Sequence, residues 1–509
     1  HTSPEEGEEL NPEHAATEAS AAEGGFDPAL FDALGVDELV PAPLAAWRPL
    51  VVEALGFFLD RLPPQRLEAI VADQFALPIE APAEARLVAL LARCPTLHKL
   101  GQVLALHPEL DPELRRHLQT LESMPSTRPL APLRARIEAS LGAGHGLALA
   151  DEALAEGSVA VVLPFSWHEG GRRREGVFKV LKPGVEAELA DELALLPSVA
   201  DFLERRAAQL GLPALDYRGT LASVQRLLAR EIRLDREQAH MAEAAAFHAD
   251  DAGLLVPALL PWCSPAMTAM DRVFGPRLTD AALAPGQGQA LADTLVRALL
   301  ARPFWSGEAE AMFHGDLHGG NLLLADDGRL AVLDWSLTAR LGKAEREALV
   351  AIALGALTLD AARIRAALGA LGMLDADDPA LAGAVEHALD RLVASGRPIG
   401  FDWLVGLLDE LALLGASGFG EQLAVFRKSW LSLAGVIRDL GAELAADLPL
   451  LSLGLQRFLG EMPARMFAAP DSRAFATHVS NADLIGLGAS AWPTSLRYWS
   501  RLLAADRAA

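Results

Sequence analysis

The stretch Met312–Ser336, MFHGDLHGGNLLLADDGRLAVLDWS, constrains the fold of this chain more than any other. It reads as a loop carrying His-x-Asp, then two short apolar strands, LLLA and RLAVL. Between them Asp326-Asp327-Gly328 supplies the residues of a tight turn. Asn321 and Asp334 lie equally far from the Asp327/Gly328 midpoint, so a regular hairpin brings their side chains to the same end. Asp316 precedes Asn321 by five positions. An acidic surface hairpin would account for the composition of this stretch, but not for both spacings.

The Asp316-to-Asn321 spacing is that of a kinase catalytic loop. Phosphoryl transfer needs one carboxylate to orient the attacking hydroxyl or water. It also needs an Asn and a second carboxylate to hold Mg²⁺ on the phosphates. Asp316, Asn321 and Asp334 supply those types in that order.

Bulk properties narrow the partners. The 509 residues are enough for several domains and a large core. With 44 basic against 68 acidic residues the net charge is -24, which argues against nucleic acid as a partner. It also disfavours electrostatic attachment to an anionic membrane, although a local basic patch remains open. Two cysteines, Cys94 and Cys263, form neither a disulfide framework nor a zinc cluster and read as small core residues in a reducing compartment. No apolar run reaches the roughly 18 residues of a membrane span, and no signal-peptide pattern opens the chain. The expected location is cytoplasmic, with a peripheral membrane position as the variant.

Residues 1–25 carry seven Glu and no Lys or Arg, the composition of a disordered acidic tail. Residues 26–145 read as helices, with a break at Pro63-Pro64 and a helix opening at Pro95-Thr96 that carries Lys99-Leu-Gly-Gln102. From about residue 146 to 275 the texture turns β-rich. GSVAVVLPFSW and REGVFKVLKP form an antiparallel pair around the polar turn HEGGRRREG, with Lys179 flanked by apolar residues on the second strand. A helical stretch, LLAREIRLDREQAHMAEAAAF, places Glu231 and Asp235 on one face and Glu237 about 120° away. The run AMTAMDRVFGPRL reads as a further strand and hinge. The catalytic core is expected over 276–360, with a helix from about Lys343, and the remainder to 509 as six or more helices. The last of these, TSLRYWSRLL, reads as a helix packed on its own core, with an interfacial membrane helix as the alternative.

Taken together, several of these segments resemble the UbiB/ADCK/AarF family of atypical kinases. CPTLHKLGQVLALHPELDPELRRHLQTLESMP resembles its Lys-x-Gly-Gln extension, LAEGSVAVV its Ala-rich loop and VFKVLKPGVE its strand lysine. EIRLDREQAH resembles its Glu-x-Asp helix, and FHGDLHGGN with LDWS its catalytic loop and metal turn. The resemblance implies an α+β, protein-kinase-like two-lobe fold, mostly helical, with an N-terminal helical extension and a C-terminal helical region. It implies ATP and Mg²⁺ as cofactors, and a lipid, isoprenoid or small-molecule acceptor. By the same resemblance Asp316 is the catalytic carboxylate, and Lys179 holds the phosphates and pairs with Glu237. Asn321 and Asp334 bind metal, Ala155, Gly157 and Ser158 form the loop over the phosphates, and Lys99 and Gln102 project towards the nucleotide.

Three positions depart from the family pattern. Arg233 stands where the Asp of Glu-x-Asp belongs, Glu156 adds a negative charge beside the phosphate loop, and Ser336 replaces the glycine of the metal turn. Two other functions remain open at this level: a soluble aminoglycoside- or choline-type phosphotransferase, and a nucleotide-binding scaffold with vestigial turnover.

Overall fold

The computed structural model describes residues 42–99, 130–142, 144–213, 216–372, 375–396, 400–413, 421–442 and 447–508. The acidic stretch 1–25, Gly101, Gln102 and the segment to residue 129 lie outside the described residues. The chain divides into two compact units. The first runs to Asp235 and includes Pro261–Ala269; the second is Arg236–Leu260 with Met270 onwards.

The first unit begins with helices α1 (Arg48–Leu59), α2 (Pro64–Ala76) and α3 (Ala83–Arg93), each entered through proline at or just before its first turn. Phe58, Leu59, Leu62, Ile70, Leu90 and Cys94 meet in one buried cluster. The chain is again helical from Pro95 to Lys99, and after the undescribed segment α4 spans Leu130–Leu141.

A sheet follows. Its strands are β1 (Ala148–Leu149), β2 (Ala155–Glu156), β3 (Ala160–Glu169) and β4 (Arg172–Leu181), and the order β1-β3-β4 continues into β6 (Met267–Asp271), with β2 also on β3. The β3–β4 hairpin is longer than the sequence suggests. His168–Glu169 and Arg172–Glu175 are paired strand, and only Gly170 and Gly171 form the turn. Both glycines have positive φ, 57° and 77°, the two-residue turn whose twist matches the flanking strands. The polar run is exposed strand end rather than loop. Phe165 stacks on Phe178 at 4.0 Å, and Trp262 meets Phe165 edge-on, so aromatics fill the sheet face.

After the sheet come α5 (Val185–Gln209), entered through left-handed Gly184, and α6 (Tyr217–Glu231). The expected unbroken helix through LLAREIRLDREQAH is instead two: α6 ends at Glu231 and α7 starts at Leu234 and runs to Phe247. Leu234 is fully buried with Val159, Leu181 and Val185. Seating that leucine breaks the helix at Ile232–Arg233, so Glu231 and Asp235 do not share a helix face.

The second unit holds β5 (Leu254–Leu255), parallel to β9 (Leu330–Val332), which is antiparallel to β8 (Leu322–Leu324). A second ladder joins β7 (Glu310–His314) to β10 (Thr338–Gly342). Met312–His314, read from sequence as loop, is therefore strand, and Thr338–Gly342 is a strand the sequence reading missed. Helix α8 spans Gln287–Val296. It continues through a π-helical turn (Arg297–Ala301) into Arg302–Phe304. After β10 come eight helices among the described residues: α9 (Lys343–Leu357), α10 (Ala361–Ala370), α11 (Pro379–Ser395), α12 (Phe401–Leu413), α13 (Glu421–Asp439), α14 (Asp447–Arg465), α15 (Asn481–Ala489) and α16 (Ala491–Ala508).

Candidate active site

In the second unit the candidate catalytic segment is built on the β8–β9 hairpin. Its register pairs Leu322 with Val332, Leu323 with Ala331 and Leu324 with Leu330. The centre is Asp327, half a residue before the midpoint expected from sequence. The cause is a loop of three residues. Gly328 donates to the Ala325 carbonyl at 2.8 Å, and Ala325 donates to the Arg329 carbonyl at 2.9 Å. Gly328 takes φ 87°, the left-handed residue that such a loop needs. Asn321 therefore lies opposite Leu333, whose N–H donates to its carbonyl at 3.0 Å, and Asp334 is one residue further on. The two side-chain bearers still lie at the same end of the hairpin.

One buried histidine ties Asp316 to Asp334. His314, 4 % exposed, accepts from the Asp316 N–H at Nδ1 (3.3 Å), and its Nε2 donates to the Asp334 carbonyl. Burial lowers the pKa of this imidazole, so the ring is neutral and its single proton sits on Nε2. Trp335 packs edge-on against the ring at 4.8 Å, and its carbonyl meets His240 Nδ1 at 3.0 Å. Asn321 donates from Nδ2 to the Asp316 carbonyl (3.4 Å), and Ser336 N–H donates to Asp334 Oδ1 (2.9 Å). The last bond shapes the turn after Asp334 without a glycine. Gly315 does have a steric requirement. A Cβ there would sit 2.8 Å from Leu337 and 2.9 Å from Val425, so strand, loop and α13 close on bare backbone.

The donors at this end suit magnesium. The Asp334 carboxylate and the Asn321 amide are hard oxygen ligands, and the amide nitrogen is already engaged with Asp316. No group of three or more His, Cys, Asp or Glu among the described residues forms a metal cage. Mg²⁺ takes one or two protein oxygens together with substrate phosphates, and Asn321 and Asp334 carry two such oxygens. Glu237 lies in α7 and is 2 % exposed.

In the first unit, Lys99, Ser158 and Glu231 form one cluster. Lys99 Nζ lies 2.7 Å from Glu231 Oε1, and Ser158 Oγ donates to Glu231 Oε2 at 3.1 Å. Ser158 stands at the tip of the β2–β3 turn, closed by Gly157 N–H on the Ala160 carbonyl (2.8 Å). Lys99 is thus largely buried, at 16 % side-chain exposure. Its helix is fixed at the start by Glu192, fully buried in α5, which accepts from the Thr96 N–H (2.8 Å) and from Arg66. Burial pushes the Glu192 carboxyl up, against the pull of Arg66.

Glu156 does not leave a bare negative charge beside this turn. Its carboxylate meets Lys182 Nζ at 2.8 Å, and both side chains are at least 90 % buried. Ala155 is half-buried in β2, and Lys179 is half-buried on β4 opposite Val162. Asp235 is paired with Arg233, the residue that departs from Glu-x-Asp, at 2.7 Å on the surface. Cys94 is fully buried, and burial pushes its thiol well up, as for a core residue.

Sequence reasoning missed two residues here. His314 lies inside the quoted motif, but its clamp needs the β7–β10 pairing to exist. Lys428, on α13, places Nζ 2.7 Å from Asp316 Oδ1. The two positions are 112 apart, and no local pattern marks the lysine.

Comparison with known proteins finds likenesses over part of the chain. Residues 147–368 match the family model described as ABC1 atypical kinase-like domain. Curated relatives carry the name Probable protein kinase UbiB. That of Azotobacter vinelandii is 30 % identical over 300 residues, covering 57 % of this chain and 51 % of the relative. That of Xanthomonas euvesicatoria pv. vesicatoria is 28 % identical over 272 residues, covering 50 % and 47 %. The chain spans about half the length of the curated relatives it matches. A solved Rv3197–erythromycin complex from Mycobacterium tuberculosis aligns over 70 % of this chain and 90 % of that one, at 17 % identity and TM-score 0.48.

Proposed function

We propose that the α+β kinase-like domain of this chain is an ABC1-type member of the UbiB/ADCK family that binds ATP with Mg²⁺ and transfers the γ-phosphoryl group. The observation that carries the proposal is the His314 clamp. It couples the backbone of Asp316 to that of Asp334 through one neutral, buried imidazole, with Asn321 bonded to the same loop. An acidic surface hairpin would have no use for that coupling.

The proposed roles follow from the family resemblance together with residue chemistry. Asp316 orients the attacking oxygen and takes its proton, while Asn321 and Asp334 would hold Mg²⁺, which would supply neutralisation of phosphate charge. Lys179 binds phosphate oxygens, and Glu237 is the helix carboxylate of the site. The turn Ala155, Gly157 and Ser158 covers the phosphates, and Lys99 with Gln102 acts from the N-terminal extension. The acceptor is a lipid, isoprenoid or other small molecule, with water as the acceptor in the basal ATPase reaction.

A lipid acceptor accords with one feature of α14. Leu448, Leu451, Leu455, Leu459 and Met462 are all exposed. At ~100° per residue they fall within an arc of about 80°. No Asp or Glu lies on that arc. We assign this stripe to peripheral contact with a lipid surface.

The direct test of the nucleotide site is thermal. Mg-ATP raises the melting temperature of the wild type, and Asp334→Asn abolishes the shift. An undiminished shift in the variant refutes the metal assignment.

A further inference from the structure

The loop from Asp316 to Asn321 reads Asp-Leu-His-Gly-Gly-Asn and contains no Lys or Arg. A phosphoryl-transfer loop gathers negative charge from its own carboxylate and from the nucleotide. A permanent positive charge at Asp316 has therefore to come from elsewhere in the fold. The structure supplies one. Lys428 Nζ lies 2.7 Å from Asp316 Oδ1, with both side chains partly accessible.

The approach is built in by how α13 sits. Phe426 meets Phe313 of β7 edge-on at 4.7 Å. Gln422 accepts from the Arg340 N–H of β10 at 2.7 Å. Val425 lies where Gly315 has no side chain. Gln422, Val425, Phe426, Ser429 and Trp430 follow helical spacing, so one face of α13 lies on the strands flanking the loop. Lys428 stands at the edge of that face, about 60° from Val425 at ~100° per residue. A short side chain there would not reach Asp316. A lysine reaches it and keeps its ammonium at the solvent-accessible mouth of the loop.

We propose that Lys428 is a positioning residue of the phosphoryl-transfer site: its ammonium holds one oxygen of the Asp316 carboxylate, fixing the other towards the attacking oxygen. In the ATPase reaction the bond from γ-phosphorus to the ADP bridging oxygen breaks and the bond from the water oxygen to phosphorus forms. The water proton passes to Asp316 and then to solvent, giving ADP, phosphate and a proton. Lys428 neither gains nor loses a proton in this step. It sets the direction of the carboxylate, which counts in the transition state and little in nucleotide binding.

This inference rests on the nucleotide reading above, and the experiment separates the two. Phosphate release from Mg-ATP is measured for the wild type, Lys428→Met, Lys428→Arg, Asp316→Asn and the double variant Asp316→Asn/Lys428→Met, each checked for its melting temperature. Lys428→Met lowers kcat on the order of 10-fold to 100-fold with KM for Mg-ATP within about twofold, and Lys428→Arg restores most of the rate. The double variant is no slower than Asp316→Asn alone, because the lysine acts through that carboxylate. Lys428→Met at the wild-type rate, or losses that multiply in the double variant, overturns the inference and leaves the nucleotide reading standing. A fall in melting temperature that accounts for the lost rate also overturns it, since the lysine would then be structural. A wild type with neither Mg-ATP binding nor phosphate release overturns both.

Discussion

At the scale of single residues, buried imidazoles carry much of the second unit's precision. His314 is one and His478 is another. His478 is fully buried, donates from Nε2 to the Phe304 carbonyl at 2.7 Å, and stacks on Trp305. Its Nδ1 has no hydrogen-bond partner, so a second proton would have nowhere to go. Burial holds this histidine down at about 4. An unfolded histidine titrates near 6.5. Between those values the unfolded state binds the proton and the folded state does not, so stability falls as pH drops from about 6.5 towards 4. For His478 alone the loss approaches about 3 kcal/mol. His478→Asn, which suits the left-handed φ of 60° at this position, removes that dependence. Urea unfolding at pH 7.5 and pH 4.5 checks it: the wild type loses more stability between the two than the variant.

Among elements, the short strand β2 shows how a weak piece of secondary structure is secured. Two residues pair with β3, and that alone is too little to fix the turn carrying Gly157 and Ser158. The buried Glu156–Lys182 pair adds a strut from β2 to the end of β4. Such a pair is costly to break because one charge is left uncompensated, whereas replacing both partners with apolar residues is close to neutral. Glu156→Ala is thus expected to cost about 3–5 kcal/mol. Glu156→Leu/Lys182→Met should recover most of that. Melting temperatures of the two variants decide it, and equal losses would overturn the account, since the double variant leaves no charge uncompensated.

At the scale of the whole molecule, charge and apolar surface pull apart. The net charge of -24 suits neither nucleic acid nor electrostatic capture by anionic lipid. The α14 stripe is apolar, and so is the exposed Trp492, Leu496 and Trp499 row of α16. Arg497 and Arg501 of α16 bond to the body of the unit, Arg497 to the Thr358 carbonyl and Arg501 to Asp390. The terminal helix therefore packs through its arginines and leaves its aromatics outside. Among the described residues no helix is long and apolar enough to cross a membrane. Binding to lipid should accordingly follow apolar contact and depend little on salt. Co-sedimentation with zwitterionic vesicles is expected for the wild type and lost in Leu455→Glu/Leu459→Glu. Retention of binding in that variant removes the stripe from the lipid reading.

Much of the catalytic segment was legible in sequence because its constraints are local. The Asp316-to-Asn321 spacing, the turn around Gly328 and the alternation of short apolar strands all act within about 20 residues. The β3–β4 hairpin was legible for the same reason, although its strands proved longer because exposed strand ends look like loop. The helix from Glu231 to Asp235 was misread. Helical periodicity does not register that Leu234 must turn into a core supplied by β3, β4 and α5. Long-range chemistry was beyond the sequence altogether. Nothing near residue 99 indicates Glu231, and nothing near residue 316 indicates Lys428. The chain alone determined which functional groups exist and how the local turn presents them. Tertiary structure decided which charges meet, because an ion pair depends on distance in space and the backbone between its partners can be of any length.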